Sequence, residues 1–143
     1  MTNLKMSVLS ILIADDDEDD KFLLKSAFEE SGIDAPLSFV DNGQELLDFL
    51  HTTKKLPSII LLDLNMPKKD GREALKEIKE NPKFRSIPIL ILTTSNSPED
   101  IKNCYFLGAN CFITKPSTFE GLMKVIGELN KFWFNIASIP TKL

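Results

Sequence analysis

The chain has 143 residues, of which 43% are hydrophobic and 27% charged, the size and balance of one soluble domain with a single core. A net charge of −4 and a pI of about 5.0 argue against a broad nucleic-acid surface, and no block of lysine and arginine forms a basic arm. No apolar stretch approaches the roughly 18 residues that span a membrane, and Met1-Thr-Asn-Leu-Lys-Met-Ser7 lacks a signal peptide's apolar segment. The cytoplasm is the expected address, with neither a membrane nor a nucleic acid as partner.

Five short apolar runs alternate with longer amphipathic stretches. Val8 to Ala14 predicts a first strand, and Glu18 to Ser31 a helix with Leu23, Leu24, Ala27 and Phe28 at helical spacing and Gly32 as its stop. Leu37 to Val40 predicts the second strand, Gly43 to His51 a helix, and Ser58 to Leu62 the third strand. Arg72 to Glu80 follows as a helix closed by Asn81-Pro82, then Ile87 to Leu92 as a strand. Ser97-Pro98 opens a helix that runs to Leu107. Cys111 to Thr114 and Ser117 to Phe134 supply the last strand and helix. Strands rich in Ile, Leu and Val with helices between them predict an α/β fold with a parallel sheet buried on both faces. Cys104 and Cys111 have no metal-ligand spacing and read as reduced core thiols.

Asp63 ends the apolar run Ser58-Ile-Ile-Leu-Leu-Asp63 and is followed by the proline-broken loop Leu64-Asn-Met-Pro67. Ligands bind at the carboxyl ends of strands in an open parallel sheet, so an acid at this place is a candidate for chemistry. Asp15-Asp16-Asp17 follows the first strand, Thr93-Thr94-Ser95 the fourth and Lys115-Pro116 the fifth, and a parallel sheet brings all of them to one edge. Clustered carboxylates resist joint ionisation unless a divalent cation neutralises them. Hard oxygen donors with room for a phosphate favour Mg2+, for which Mn2+ can substitute. With a cation present, a carboxylate can attack phosphorus while a lysine and a hydroxyl neutralise the transferred oxygens; Asp63, Lys115 and Thr93 suit those roles. Asp17 reads as a helix cap, and Glu18, Asp19 and Asp20 as charges favourable at a helix start. His51, at a helix end, is assigned no role.

In this order and on this alternation, these residues resemble the receiver domain of two-component response regulators over nearly the whole chain. The resemblance implies a flavodoxin-like, doubly wound five-stranded parallel sheet in the order 2-1-3-4-5 with five flanking helices. It implies that Asp15 and Asp16, in Ile11-Leu-Ile-Ala-Asp-Asp-Asp17, organise the metal and that Asp63 is the phosphoacceptor, with Asn65 lending its main-chain carbonyl to the metal. Thr93 resembles the switch hydroxyl, and Lys115 the phosphate-binding lysine, whose bond to Pro116 is typically cis in the family; Gly71 matches the loop glycine. Phe112 stands where a switch tyrosine is common, and Thr94 where alanine is common. The implied phosphodonor is a histidine kinase, and the implied output surface comprises the fourth helix, fifth strand and fifth helix. Self-catalysed phosphoryl acceptance and slow self-dephosphorylation are the whole of the implied catalysis.

The expected extent is a receiver domain over residues 7–136 and a tail over 137–143, with no effector domain. Phe119, Leu122, Ile126, Leu129 and Trp133 form one apolar stripe on the last helix. A second, with Val125, Phe132 and Ile136, exceeds what one buried face needs and suggests a homodimer through this region. This tail, with Asn81-Pro-Lys83 and Leu92-Thr-Thr-Ser95, also resembles the small stand-alone receivers paired with phytochrome-type kinases; other sensor or hybrid kinases remain alternatives. Two further readings are a phosphorylation-independent scaffold and a Mg2+-dependent aspartyl-phosphate phosphohydrolase. The second usually needs an acid two residues after the nucleophile, where this chain has Asn65.

Overall fold

Short, mostly apolar runs form the strands of a parallel sheet when a layer of helix covers each face. In the computed structural model, which describes residues 9–140, such runs are β1 Ile11–Ala14, β2 Leu37–Val40, β3 Ile59–Leu62, β4 Ile89–Thr93 and β5 Cys111–Thr114. They pair in parallel in the order β2-β1-β3-β4-β5, the order expected from the resemblance. Five helices connect and flank them: α1 Glu18–Glu30, α2 Gly43–Thr52, α3 Gly71–Glu80, α4 Pro98–Leu107 and α5 Phe119–Leu129. Val8, the expected start of the first strand, and the last three residues of the expected tail lie outside the described residues.

The twofold alternation of a strand divides the core in two. Leu12, Ala14, Ile60, Leu62, Ile89 and Ile91 pack with residues of α2, α3 and α4, including Leu46, Leu75, Ile78 and Cys104. Their neighbours Ile11, Ile13, Ile59, Leu61, Leu90 and Leu92 pack on the opposite face with Leu24 and Phe28 of α1 and with Ile126 and Leu129 of α5. Each helix starts where a side chain satisfies its free amides. Asp17, Asn42, Ser97 and Thr118 each accept a bond from the backbone three residues on. Asp70 does so within a reciprocal capping box with Glu73. Asp17 is thus the cap expected of it.

The end of the chain departs from expectation. A continuous α-helix was predicted to Phe134, but α5 passes at Asn130 into a π-helical segment, Asn130–Ile136, closed by a bond from the Ala137 amide to the Phe132 carbonyl, 2.7 Å. The i→i+5 bonding of a π turn takes in one more residue than an α turn. The apolar stripe therefore slips by one position: Phe134, not Trp133, closes the core, fully buried with its ring 6.1 Å from that of Phe28. Trp133 is only half-buried, while Phe132 and Ile136 are 52% and 69% exposed.

Candidate functional site

Strand register assembles the site. Ala14 is paired with Leu62, so Asp15 and Asp63, the next residues on β1 and β3, emerge side by side. Thr93 is paired with Thr114, which puts Lys115 one step beyond the same edge, and the Lys115 amide donates to the Thr93 carbonyl at 2.6 Å. Gly71, the first residue of α3, passes so close to the Asp63 carbonyl that a Cβ there would overlap it. The loop carrying Asn65 is held against the site by the Gly71 amide, which donates to the Leu64 carbonyl at 2.9 Å.

Lys115 is the centre of this edge. Its side chain is 9% exposed, and its Nζ lies 2.7 Å from Asp15 Oδ2, 2.8 Å from Asp20 Oδ2 and 3.2 Å from Asp63 Oδ2. Burial opposes the ammonium, but hydrogen bonds to Asp15 and Asp20 and the charges of Asp15 and Asp63 together outweigh it, so Lys115 is held above the ordinary lysine pKa. Asp15 is almost wholly buried. Desolvation is the largest influence on its carboxyl and, with the charge of Asp63, raises the pKa against the lowering effect of Lys115 and of the Asp17 amide, which donates to Asp15 Oδ1 at 3.0 Å. Asp63 Oδ1 accepts from the Asn65 amide at 3.3 Å.

Asp15, Asp16 and Asp63 each offer a carboxylate oxygen within 4.8 Å of the others. The set fits a hard divalent cation. It is all oxygen, it includes an exposed member in Asp16 that leaves room for water, and Asp15, the more deeply buried of its other two members, carries a carboxyl that burial disfavours as an anion unless positive charge is brought to it. Mg2+ and Mn2+ both suit such donors.

Around this centre, Thr93 is fully buried at the end of β4, and the Ser95 amide approaches its Oγ1 at 3.5 Å. Ser95 Oγ donates to Asp100 Oδ2 at 2.7 Å, and Arg72 of α3 holds the same carboxylate with two bonds of 2.8 Å. Thr94 is exposed and lines a cavity of about 240 Å3 with Leu23, Pro116 and Phe119, next to Lys115. Phe112 packs partly buried against the core, and its amide donates to the phenolic oxygen of Tyr105 on α4 at 3.1 Å. His51 is exposed at the end of α2, its ring edge-on to Phe84 at 5.0 Å.

Sequence reasoning brought together Asp15, Asp16, Asp63, Thr93 and Lys115, and the structure has them on one edge. It read Asp20 only as a helix-start charge, whereas Asp20 bonds Lys115 directly. The signal was present: Asp20 lies one turn before Leu24 on the buried stripe of α1, so an acid continues an apolar face. The Arg72–Asp100–Ser95 brace had no such signal, because its members lie on separate elements. One expectation fails. The Lys115–Pro116 bond is trans, and no peptide bond among the described residues is cis; for an X–Pro amide the two isomers differ by only about 0.5–1 kcal/mol.

Comparison with known proteins agrees with this geometry. The response regulator receiver domain family matches residues 11–127. The response regulator Rcp1 of Synechocystis sp. is 37% identical over 135 residues, covering 91% of this chain and 92% of its own. Among solved structures, the phosphorylated cyanobacterial phytochrome response regulator RcpA superposes with a TM-score of 0.88 at 35% identity, covering 93% of this chain and 99% of its own. The Mn2+-bound form of Rcp1 gives 0.86 at 36% identity, with the same coverage of each chain. A sheet in this order, an acid cluster at its carboxyl edge and a match over most of the length agree: the chain belongs to the response regulator receiver domain family and resembles the phytochrome-associated response regulators within it.

Proposed function

We propose that Asp63 is the phosphoacceptor and that the donor is the phosphohistidine of a histidine kinase. The observation that carries this reading is the buried ammonium of Lys115 bridging Asp15 and Asp63 at the sheet edge. An Asp63 carboxylate oxygen attacks phosphorus in line; the new O–P bond forms as the P–N bond to the imidazole breaks, and the departing ring nitrogen recovers a proton. Lys115 orients Asp63 before transfer and neutralises a phosphoryl oxygen after it. Asp15, Asp16, Asp63 and the main-chain carbonyl of Asn65 are the groups that would hold Mg2+ or Mn2+. When bound, the cation supplies positive charge to the carboxylates and to the transferred oxygens. Acceptance and slow release of the phosphoryl group are self-catalysed, and the protein turns over no other substrate.

Thr93 then turns its hydroxyl toward the phosphoryl group, and Phe112 follows by packing, since it has no hydroxyl of its own. The surface of α4, β5 and α5 is the signalling output, a two-state element biased by phosphorylation. The receiver domain extends to residue 136, because Phe134 completes the core beyond the family match. Ile113, Val125, Leu129, Phe132 and Trp133 line an almost wholly apolar groove, which we assign to a homodimer contact. Resemblance to phytochrome response regulators favours a phytochrome-type kinase as the donor. ATP-fed phosphohistidine is a cytoplasmic commodity, and the cytoplasm is the compartment that suits.

Intact mass after incubation of the wild type and Asp63→Asn with acetyl phosphate and Mg2+ tests the reading. A single phosphate-sized gain in the wild type alone is expected, with a phosphohistidine kinase as second donor in case Thr94 hinders the small one. Labelling of the variant would reassign the acceptor, and no labelling from either donor would favour the phosphorylation-independent scaffold.

A further inference from the structure

An ammonium has three N–H donors and no more. In this protein three carboxylates take them: Asp15, Asp20 and Asp63, at 2.7, 2.8 and 3.2 Å from Lys115 Nζ. A phosphoryl group on Asp63 turns its carboxylate into an uncharged acyl ester and brings three non-bridging oxygens to the same ammonium: the N–H held by Asp63 passes to the first of them, and a second can be bound only if Asp15 or Asp20 gives way. The three are not equivalent. Asp15 is 2% exposed at its side chain, and its carboxylate belongs to the cation-binding set with Asp16 and Asp63. Losing Lys115 there would leave a buried carboxylate short of a partner, which is costly. Asp63 carries the incoming group. Asp20 stands apart: its side chain is 36% exposed, it lies outside the cation-binding set, and it lines the cavity beside Lys115, so water can replace the lost bond at small cost.

We infer that Asp20 is a positioning residue that holds Lys115 over the site before phosphorylation and competes with a second phosphoryl oxygen for the same N–H. This rests on the reading of Asp63 as the acceptor. Asp20 is held in place for the task, since its amide donates to the capping carboxylate of Asp17 at 3.0 Å and Asp17 starts the helix directly after β1. The charge-assisted bond from Lys115 to Asp20 is a standing rival to any anion at Asp63. Removing the charge while keeping the shape weakens the rival and leaves the cation-binding carboxylates intact.

The test is titration of beryllium fluoride, a tetrahedral phosphoryl mimic, into the Mg2+-saturated full chain, followed by calorimetry and fluorine NMR. Asp20→Asn is expected to bind the mimic about fivefold more tightly than the wild type, the scale of losing one charge-assisted competitor. Asp20→Ser serves as a second removal of the carboxylate. Asp19→Asn takes the same unit charge from the same helix turn at an exposed position; its affinity is expected to stay within about twofold of the wild type, because solvent screens a charge that touches no ligand. Equal affinity in the wild type and both Asp20 variants would overturn the inference, as would an equal gain in Asp19→Asn, which would reduce the effect to overall charge. A wild type that binds no beryllium fluoride with Mg2+ present would instead overturn the acceptor reading itself, and the inference with it.

Discussion

Asp15 sets the electrostatic tone of the site. Its carboxyl is buried, desolvation and the charge of Asp63 push its pKa up, and Lys115 relieves only part of the strain. The sign follows directly. A carboxyl whose folded pKa lies above its unfolded value binds protons more readily in the native state, so the ionised form weakens the fold as pH rises past 3.8. A cation at Asp15, Asp16 and Asp63 reverses this. Mg2+ at one hundred times its dissociation constant is expected to stabilise the wild type by about 2.7 kcal/mol, and chelation to remove that gain. Asp15→Asn is expected to melt about 2–4 °C above the metal-free wild type, roughly 1 kcal/mol for a chain of this size, and to lose most of the Mg2+ response. Thermal melts of both proteins with EDTA and with Mg2+ check this, and a variant that melts lower without metal would contradict it.

Among the elements, the join between α3 and α4 stands out. Arg72 grips Asp100 through two bonds, Ser95 adds a third, and Ser97 caps the helix that carries Asp100, so the segment after Thr93 is tied to α3. The hydrogen bond from Arg72, then that from Ser95, hold the Asp100 carboxyl at a pKa of about 2 against an ordinary 3.8. A depressed folded pKa stabilises the native state fully above 3.8, and this contribution fades as pH falls toward 2. Asp100→Asn is therefore expected to cost ~1–2 kcal/mol at pH 6, after allowance for a side chain 20% exposed. Urea unfolding at two pH values reads it: the gap between wild type and variant should fall to roughly half by pH 3. An unchanged gap would mean that packing rather than charge joins the two helices. The brace spans elements far apart in sequence, which is why composition and periodicity were silent about it.

At the scale of the molecule, one apolar surface gathers around the last helical segment, while Phe22 of α1 and Phe106 of α4 are exposed elsewhere. The π turn that buries Phe134 also turns Phe132 and Ile136 outward, beside a groove with almost no polar lining. Burial of such surface is worth roughly 25 cal/mol per Å2, so a second copy covering it gains more than solvent does. The wild type is expected to elute as a dimer at micromolar concentration, and Phe132→Glu as a monomer with unchanged beryllium fluoride binding. Light scattering on the eluting peaks decides it; a monomeric wild type would remove the dimer from the functional reading.

Much of this protein was legible from its residues alone. Apolar runs of four to seven, helical stripes and turn punctuation determined the number, type and order of the elements, because burial and backbone hydrogen bonding act locally and leave a periodic trace. A parallel sheet follows from that alternation, and with it the convergence of Asp15, Asp63, Thr93 and Lys115, since side chains that follow aligned strands must share an edge. Three matters were decided only in three dimensions. The slip from Trp133 to Phe134 came from a change of helical pitch that no apolar count reveals. Asp20 changed from a cap charge into a partner of Lys115, and Arg72, Asp100 and Ser95 formed one brace. The last two depend on distances between residues remote in sequence, Lys115 from Asp20 and Arg72 from Asp100, and Coulomb and hydrogen-bond energies are set by that distance and by burial, which the order of residues does not carry.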